Sequence, residues 1–371
     1  MCDVSLKCRH TSIASSRRTS FLYLLILILS IMVGLCLKSI TKIISKDSKK
    51  KLEQKGCFVI DNREPVLKFI RSSNRTDLAK SVKTFDFETL YTSIPQSKLK
   101  ESISSSIESV FRGRKKNFMT VPNSGKHAYF SVNRSKDGFS VTVKELISCI
   151  NFIIDNSYIT YKGKIYRQII GIPMGTNCAP YLANLFLHEY EISYIEGLLS
   201  NNMIEEAKLL SHIFRYQDDC IVFNDYNTFG NAIKDIYPTE MVLKETNVSA
   251  TECNYLDITV KCLDGRVFMY NSYDKRLDYN FEVINYPDLA GNVPTSQSYG
   301  VFTSQLIRFC EINSTLERFY SDVNVLVTKL KKLGFEGKRL WDKYTKFCNN
   351  EMNRWSKFGM DISSIGEYLV F

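Results

Sequence analysis

Ile213-Phe214-Arg215-Tyr216-Gln217-Asp218-Asp219-Cys220-Ile221-Val222-Phe223 sets two apolar, β-prone runs around a polar triplet that holds adjacent aspartates. That pattern predicts a tight hairpin with both carboxylates at its tip. Successive side chains of an extended strand alternate between faces, so the two acids do not serve one site equally. A carboxylate at the rim of an apolar hairpin is costly unless a cation lies against it, and two neighbouring carboxylates repel as well. A bound divalent metal answers both problems.

A metal held by hard oxygens takes more than one carboxylate, and the second candidate is Asp86 in the strand-like Val82-Lys83-Thr84-Phe85-Asp86-Phe87. Glu88-Thr89-Leu90-Tyr91-Thr92-Ser93-Ile94-Pro95 follows as a turn leading into a helix. Between the two acids lies Gly171-Ile172-Pro173-Met174-Gly175-Thr176-Asn177-Cys178-Ala179-Pro180, a loop punctuated by glycine and proline that enters the apolar run Tyr181 to Leu187.

An acid strand, a glycine loop with its helix, and a Tyr-x-Asp-Asp hairpin, in that order, resemble the palm of reverse transcriptases. The wording of the blocks is most similar to that of Penelope-like and related retroelements, and the resemblance runs from Gly56 to the C-terminus. It implies an α+β right hand: an antiparallel palm sheet packed on helices, partial fingers and a helical, basic thumb. It also implies an RNA-directed DNA polymerase, which transfers nucleotides from dNTPs to a primer 3′-hydroxyl on an RNA or DNA template. The cofactor implied is Mg2+, two ions about 3.5–4 Å apart, with Mn2+ as a substitute. Asp86 and Asp218 would bridge both ions with the Phe87 carbonyl as a further ligand, and Asp219 would tune the field or touch one ion. Tyr91, five residues after Asp86, matches the bulky position beneath the incoming sugar, where an aromatic ring excludes a 2′-hydroxyl by a clash. Gly171 and Gly175 would let the backbone approach template and nucleotide, and Pro173 would stiffen the loop between them. Many reverse transcriptases carry Gln directly before the first glycine. Here that residue is Ile170, with Gln168 two positions earlier, so Asn177 and Gln217 become the polar candidates for nucleotide binding. Lys244 is the candidate for protonating the leaving pyrophosphate.

With 371 residues, 44% of them hydrophobic, the chain can bury a sizeable core. Its net charge of +10 suits a polyanion or a membrane surface, and charge alone does not choose between them. The 23 Phe and 21 Tyr are mostly core residues by expectation, with stacking on bases as the alternative for a minority. The 11 cysteines form no Cys-x-x-Cys pair and have no His at ligand spacing, which argues against a zinc site or a disulfide framework and for reduced, buried thiols.

The pattern divides the chain into residues 1–55, a basic N-terminal segment with an apolar helix, 56–262, fingers and palm, and 263–371, a connection and helical C-terminal region. Lys7, Arg9, Arg17 and Arg18 precede the apolar run Phe21 to Leu37, and Lys38, Lys42, Lys46, Lys49, Lys50, Lys51 and Lys55 follow it. Seventeen residues span about 26 Å as a helix, the lower limit for crossing a bilayer. Two readings stand open: a buried fingers helix, or a membrane anchor that keeps the catalytic part on the cytosolic side. The corresponding locations are the cytoplasm or nucleus, or a membrane surface. Arg9 alone stands near the place of the basic fingers block, so the fingers read as truncated. Asn-x-Ser/Thr sequons at Asn74, Asn133, Asn247 and Asn313 are expected by chance in a chain of this composition.

Further along, Cys57 to Ile60 reads as a strand, Glu64 to Arg71 as a short helix, and the stretch after Pro95 as a helix with Leu99, Ile103, Ile107, Val110 and Phe111 on one face. Val143 to Asn156 and Tyr226 to Tyr237 read as helices, Asn201 to Lys208 as a polar connection, and Tyr255 to Lys261 as a single strand. Phe281 to Thr303 reads as loop and Ser304 to Trp355 as helix, with Lys329, Lys331, Lys332, Lys338 and Arg339 as candidates for contact with a nucleic-acid backbone. The alternatives to an active polymerase are a catalytically inactive remnant that binds nucleic acid and a membrane-anchored protein with a vestigial palm.

Overall fold

The computed structural model describes residues 8–10, 16–51, 58–76, 79–224, 227–249, 251–281, 283–355 and 358; Lys7, Lys55, Cys57 and Tyr226 lie outside them. The chain divides into two compact units, Met1–Val66 with Phe85–Thr246, and Leu67–Thr84 with Asn247–Phe371.

Strand β1 (Cys8–His10) is followed by α1 (Ser16–Lys51), α2 (Glu64–Asn74), β2 (Val82–Phe87) and the short α3 (Leu90–Ser93). Next come α4 (Gln96–Arg114), β3 (Phe118–Pro122), β4 (Tyr129–Ser131), β5 (Gly138–Val141), α5 (Val143–Asp155), β6 (Tyr158–Tyr161) and β7 (Lys164–Gln168). Then follow α6 (Ala179–Ser200), α7 (Ile204–Leu210), β8 (Ile213–Tyr216), β9 (Asp219–Phe223), α8 (Thr228–Ile236) and β10 (Leu243–Glu245); α2 from Leu67 and β2 up to Thr84 count with the second unit and the rest of these elements with the first. Its central sheet has the order β10-β2-β9-β8, and two smaller sheets run β1-β7-β6 and β4-β3-β5.

Local chemistry accounts for these elements. In α4 the apolar residues at helical spacing, Leu99, Ile103, Ile107, Val110 and Phe111, are the ones the fold buries. Helix α5 opens on a reciprocal capping box between Thr142 and Glu145. The first half of α6 runs through the middle of the unit, and Leu182, Ala183, Leu185, Phe186 and Leu187 are all buried.

Helix α1 is long and apolar enough between Leu24 and Lys50 to cross a membrane by length and composition. Its apolar stretch is nevertheless divided between two environments. Val33, Cys36, Leu37 and Ile40 recur every three or four residues and belong to the protein core, whereas Leu24, Leu25, Leu27, Ile28 and Ile31 are exposed. A Cβ on Gly34 would stand 2.9 Å from the Asn177 carbonyl oxygen, so α1 approaches the end of the glycine loop as closely as a backbone can.

The second unit holds a meander of β11 (Glu252–Tyr255), β12 (Ile258–Leu263) and β13 (Val267–Ser272) with helices α9 (Thr295–Ile312), α10 (Leu316–Lys332), α11 (Gly337–Asn350) and α12 (Met352–Trp355). Asparagine amides brace it: Asn74 exchanges two hydrogen bonds with the Phe268 backbone, Asn247 accepts from the Thr84 amide at 2.6 Å, and the fully buried Asn313 donates to Asp322 at 2.7 Å. Three of the sequon asparagines are therefore structural hydrogen-bonding groups.

Three expectations are corrected. Within the polar connection 201–208, Ile204 to Leu210 is helical, because Ala207 and Leu210 bury one face. Tyr255 to Lys261 is two strands, with a turn at Leu256 and Asp257 where Leu256 takes φ 52°. Helix α9 begins at Thr295, inside the stretch read as loop. Cys36, Cys149, Cys178, Cys220, Cys253, Cys262, Cys310 and Cys348 are free, and all of these but Cys149 are buried.

Candidate active site

The hairpin forms as the sequence predicts. Strands β8 and β9 pair from Ile213↔Val222 to Tyr216↔Asp219, which leaves Gln217 and Asp218 as a two-residue turn. Gln217 adopts φ 56°, the left-handed conformation that the first position of such a turn demands and that a non-glycine residue takes only under strain. Asp218 sits in the turn and Asp219 begins β9, both half-buried.

Strand β2 brings Asp86 to this turn. The Phe87 N–H donates to the Asp218 carbonyl at 3.3 Å, so the end of the acid strand lies against the aspartate turn. On the other side β10 pairs with β2 in the register Lys244↔Asp86, and directly opposed residues of an antiparallel pair point to the same face. Lys244 Nζ is already engaged by Glu88 at 2.5 Å, on an exposed surface.

Tyr91 stands beside the turn, its hydroxyl donating to Gln217 Oε1 at 3.4 Å. Burial and the nearby Asp218 carboxylate push its phenol above the usual range, against the opposing pull of Arg215. The glycine loop is pinned to the same helical turn, with the Ile172 N–H donating to the Tyr91 carbonyl at 2.6 Å and the Gly171 N–H to Ile94 at 2.8 Å. The close approach expected of Gly171 is real, but its partner is the protein itself. A Cβ there would meet the Tyr91 carbonyl oxygen at 2.4 Å, and φ is +84°. Gly175 at φ +91° faces open space, and Met174 beside it is exposed. Gln168 does not stand in for the missing glutamine. It is buried and its amide donates to the Ile170 carbonyl at 2.9 Å, fastening the loop from inside.

Arg215 escapes the sequence reading. It occupies an inward position of β8 and is fully buried, as is Glu191 of α6. The guanidinium donates from Nε to Glu191 Oε1 at 2.6 Å and from Nη2 to Oε2 at 3.2 Å. Its Nη1 donates to Asn184 Oδ1 and to the Gln217 carbonyl, both at 2.9 Å, and the Tyr237 hydroxyl donates to Glu191 at 2.9 Å. Burial by itself would pull the guanidinium down; the Glu191 carboxylate reverses that and holds it above its usual value. The strained turn that presents Asp218 is thus anchored from beneath by a bidentate ion pair. A charge at a position whose strand alternation points inward was the available signal.

The unit assembled from an acid strand, a glycine loop and an aspartate turn belongs to a fold already seen. It is similar to telomerase. A Candida albicans telomerase, solved in complex with a TWJ fragment of telomeric RNA, matches with a TM-score of 0.61 at 11% identity, over 94% of this chain and 56% of that one. Two Candida tropicalis telomerase structures, one with the TWJ fragment and one without it, give TM-scores of 0.43 and 0.45 at 14% identity, over 87% of this chain and 48% and 53% of theirs. This chain therefore spans about half the length of the telomerases it matches. No family model and no curated protein matches the sequence. Within this telomerase-like fold Asp86, Tyr91, Gly171, Gln217, Asp218, Asp219 and Lys244 fall in one unit.

The basic C-terminal candidates fall in the other unit. Lys329, Lys331 and Lys332 close α10, and Lys338 and Arg339 open α11. Lys329 and Lys332 border a cavity of about 270 Å³ together with Tyr279, Phe281 and Ile284. Arg339 pairs with Glu336 at 3.2 Å and lies 5.9 Å from the Tyr299 ring centre.

Proposed function

We propose that this chain is an RNA-directed DNA polymerase of a retroelement, extending a primer on an RNA or DNA template with dNTPs. The observation that carries the reading is the hydrogen bond from the Phe87 amide to the Asp218 carbonyl, which sets the two acid-bearing segments side by side.

The donor set suits magnesium. Asp86 on β2 and Asp218 in the turn that leads into the neighbouring β9 are hard carboxylates, with the Phe87 carbonyl as the remaining protein candidate. Among the described residues no cluster of three or more His, Cys, Asp or Glu is gathered for a metal, and a site that takes its other oxygens from substrate and water needs none. When bound, two such ions activate the primer 3′-hydroxyl and neutralise the leaving pyrophosphate.

The remaining steps belong to the protein. Asp86 and Asp218 would hold the cations against which the primer end and the triphosphate align, and Asp219 shapes the field around them. Tyr91 closes the floor under the incoming sugar against a 2′-hydroxyl, and its hydrogen bond to Gln217 fixes the ring relative to the turn. Half-buried Pro173 and exposed Gly175 form the rim of the loop that a nucleotide would meet. Lys244 must release Glu88 before it can protonate pyrophosphate.

The test is primer extension on a primed RNA template with dNTPs and magnesium. Wild type should extend the primer and Asp218→Asn should not; equal incorporation by both would refute the assignment.

A further inference from the structure

A cavity of about 1230 Å³ in the first unit lies along α1 and is walled by Lys38, Lys42, Lys46, Lys49 and Lys50, with Asp61, Tyr181 and Asn184 also in its lining. Spacings of four and eleven residues hold Lys38, Lys42, Lys46 and Lys49 to one side of the helix. They climb it in steps of about 4.5–6 Å, comparable with the distance between successive phosphates on a strand. Among the described residues none of the five forms an ion pair or a hydrogen bond, and Asp61 is the one carboxylate in the lining. Asp47, the acid on the same stretch of helix, pairs with Arg114 at 3.6 Å.

Five like charges about one concavity repel each other and create a field that draws in an extended anion. The volume exceeds the range of about 300–1,000 Å³ usual for small-molecule pockets, and its rim is built of ammonium groups where those pockets are mostly apolar. Lysine suits phosphate as a point charge that needs no fixed geometry, and Tyr181 supplies a half-buried ring for a base. Asn184 ties the wall to the chemistry. Its side-chain oxygen accepts from Arg215 Nη1, and that same nitrogen donates to the Gln217 carbonyl of the aspartate turn.

We infer that the lysine face of α1 is a track for the sugar-phosphate backbone of an unpaired nucleic-acid strand leading to the aspartate turn. The inference rests on the polymerase reading for its direction, and its test does not require catalysis.

Binding of a fluorescent single-stranded RNA to the full chain is measured as a function of salt, in EDTA and without dNTPs. The chain with Lys38, Lys42, Lys46 and Lys49 all changed to Gln should bind at least about tenfold more weakly, and its log-affinity against log-salt slope should be shallower by about 2 to 3. The same four positions changed to Arg should restore both. An unchanged slope in the Gln variant, or no RNA binding by wild type, overturns the inference. So does a Gln variant that loses binding only to phosphatidylserine vesicles, since the lysines would then face a lipid surface. A chain that shows the slope change but extends no primer keeps the track and loses the polymerase reading; a chain that extends primers with an unchanged slope does the reverse.

Discussion

Arg215 and Glu191, separated by 24 residues, form an ion pair with both side chains fully buried, 2.6 Å from Nε to Oε1, directly beneath the turn that carries Asp218. Removing one partner leaves the other charged in a medium that cannot solvate it, at a cost of about 3–5 kcal/mol. Glu191→Gln should therefore lower unfolding stability by that amount, read from the urea midpoint. A loss below about 1 kcal/mol would mean that the pair is not buried as described.

His188 of α6 gives a pH dependence with a defined sign. Burial pushes its imidazole down to about 4 from the ordinary 6.5, with Arg215 adding to the shift and Glu191 opposing it. Ser48 Oγ lies 3.1 Å from Nε2. Because the folded value is the lower one, the unfolded chain takes up a proton that the folded chain refuses. Stability from this residue is complete above pH 6.5 and is lost as pH falls toward 4, up to about 3 kcal/mol. Urea midpoints of wild type and His188→Asn should converge in slope above pH 6.5 and diverge below it; parallel curves throughout would contradict the assignment.

The two loop glycines should differ in their tolerance of a methyl group. Gly175→Ala meets open space and incurs only the left-handed backbone penalty, about 1–2 kcal/mol. Gly171→Ala adds an overlap with the Tyr91 carbonyl, about 1–3 kcal/mol more. Thermal unfolding of the pair measures the difference. Equal losses would show that the loop does not rest on Tyr91.

Tyr91→Val should admit ribonucleotides. Opening the floor beneath the sugar removes a clash and adds no contact, so the ratio of dNTP to rNTP incorporation should fall by about tenfold or more while dNTP use persists. Tyr91→Phe removes only the 3.4 Å hydrogen bond to Gln217 and should keep the discrimination. An unchanged ratio in the Val variant would remove Tyr91 from the sugar site.

What the sequence made legible was local. The alternation around Gln217-Asp218 gave the hairpin, and helical spacing from Leu99 to Phe111 gave α4. The turn between β11 and β12 was hidden because its left-handed residue is Leu256, a type that carries no turn signal. The start of α9 was hidden because Thr295 to Ser298 are polar, though Ser298 and Tyr299 are buried. Arg215 and the α1 lysines were hidden for a different reason. Their meaning depends on Glu191 in one case and on Tyr181 and Asn184 in the other, and no pattern within a short window links residues so far apart in the chain.

The central claim is that Asp86 and Asp218 act as one unit on the reacting phosphate, and single-turnover incorporation of one dNTP on a primed RNA tests it most directly. Asp86→Asn, Asp218→Asn and the double variant should each lose activity to the same residual level, because groups that work together are grossly non-additive. Losses that multiply in the double variant, or a single variant that retains the wild-type rate, would contradict it.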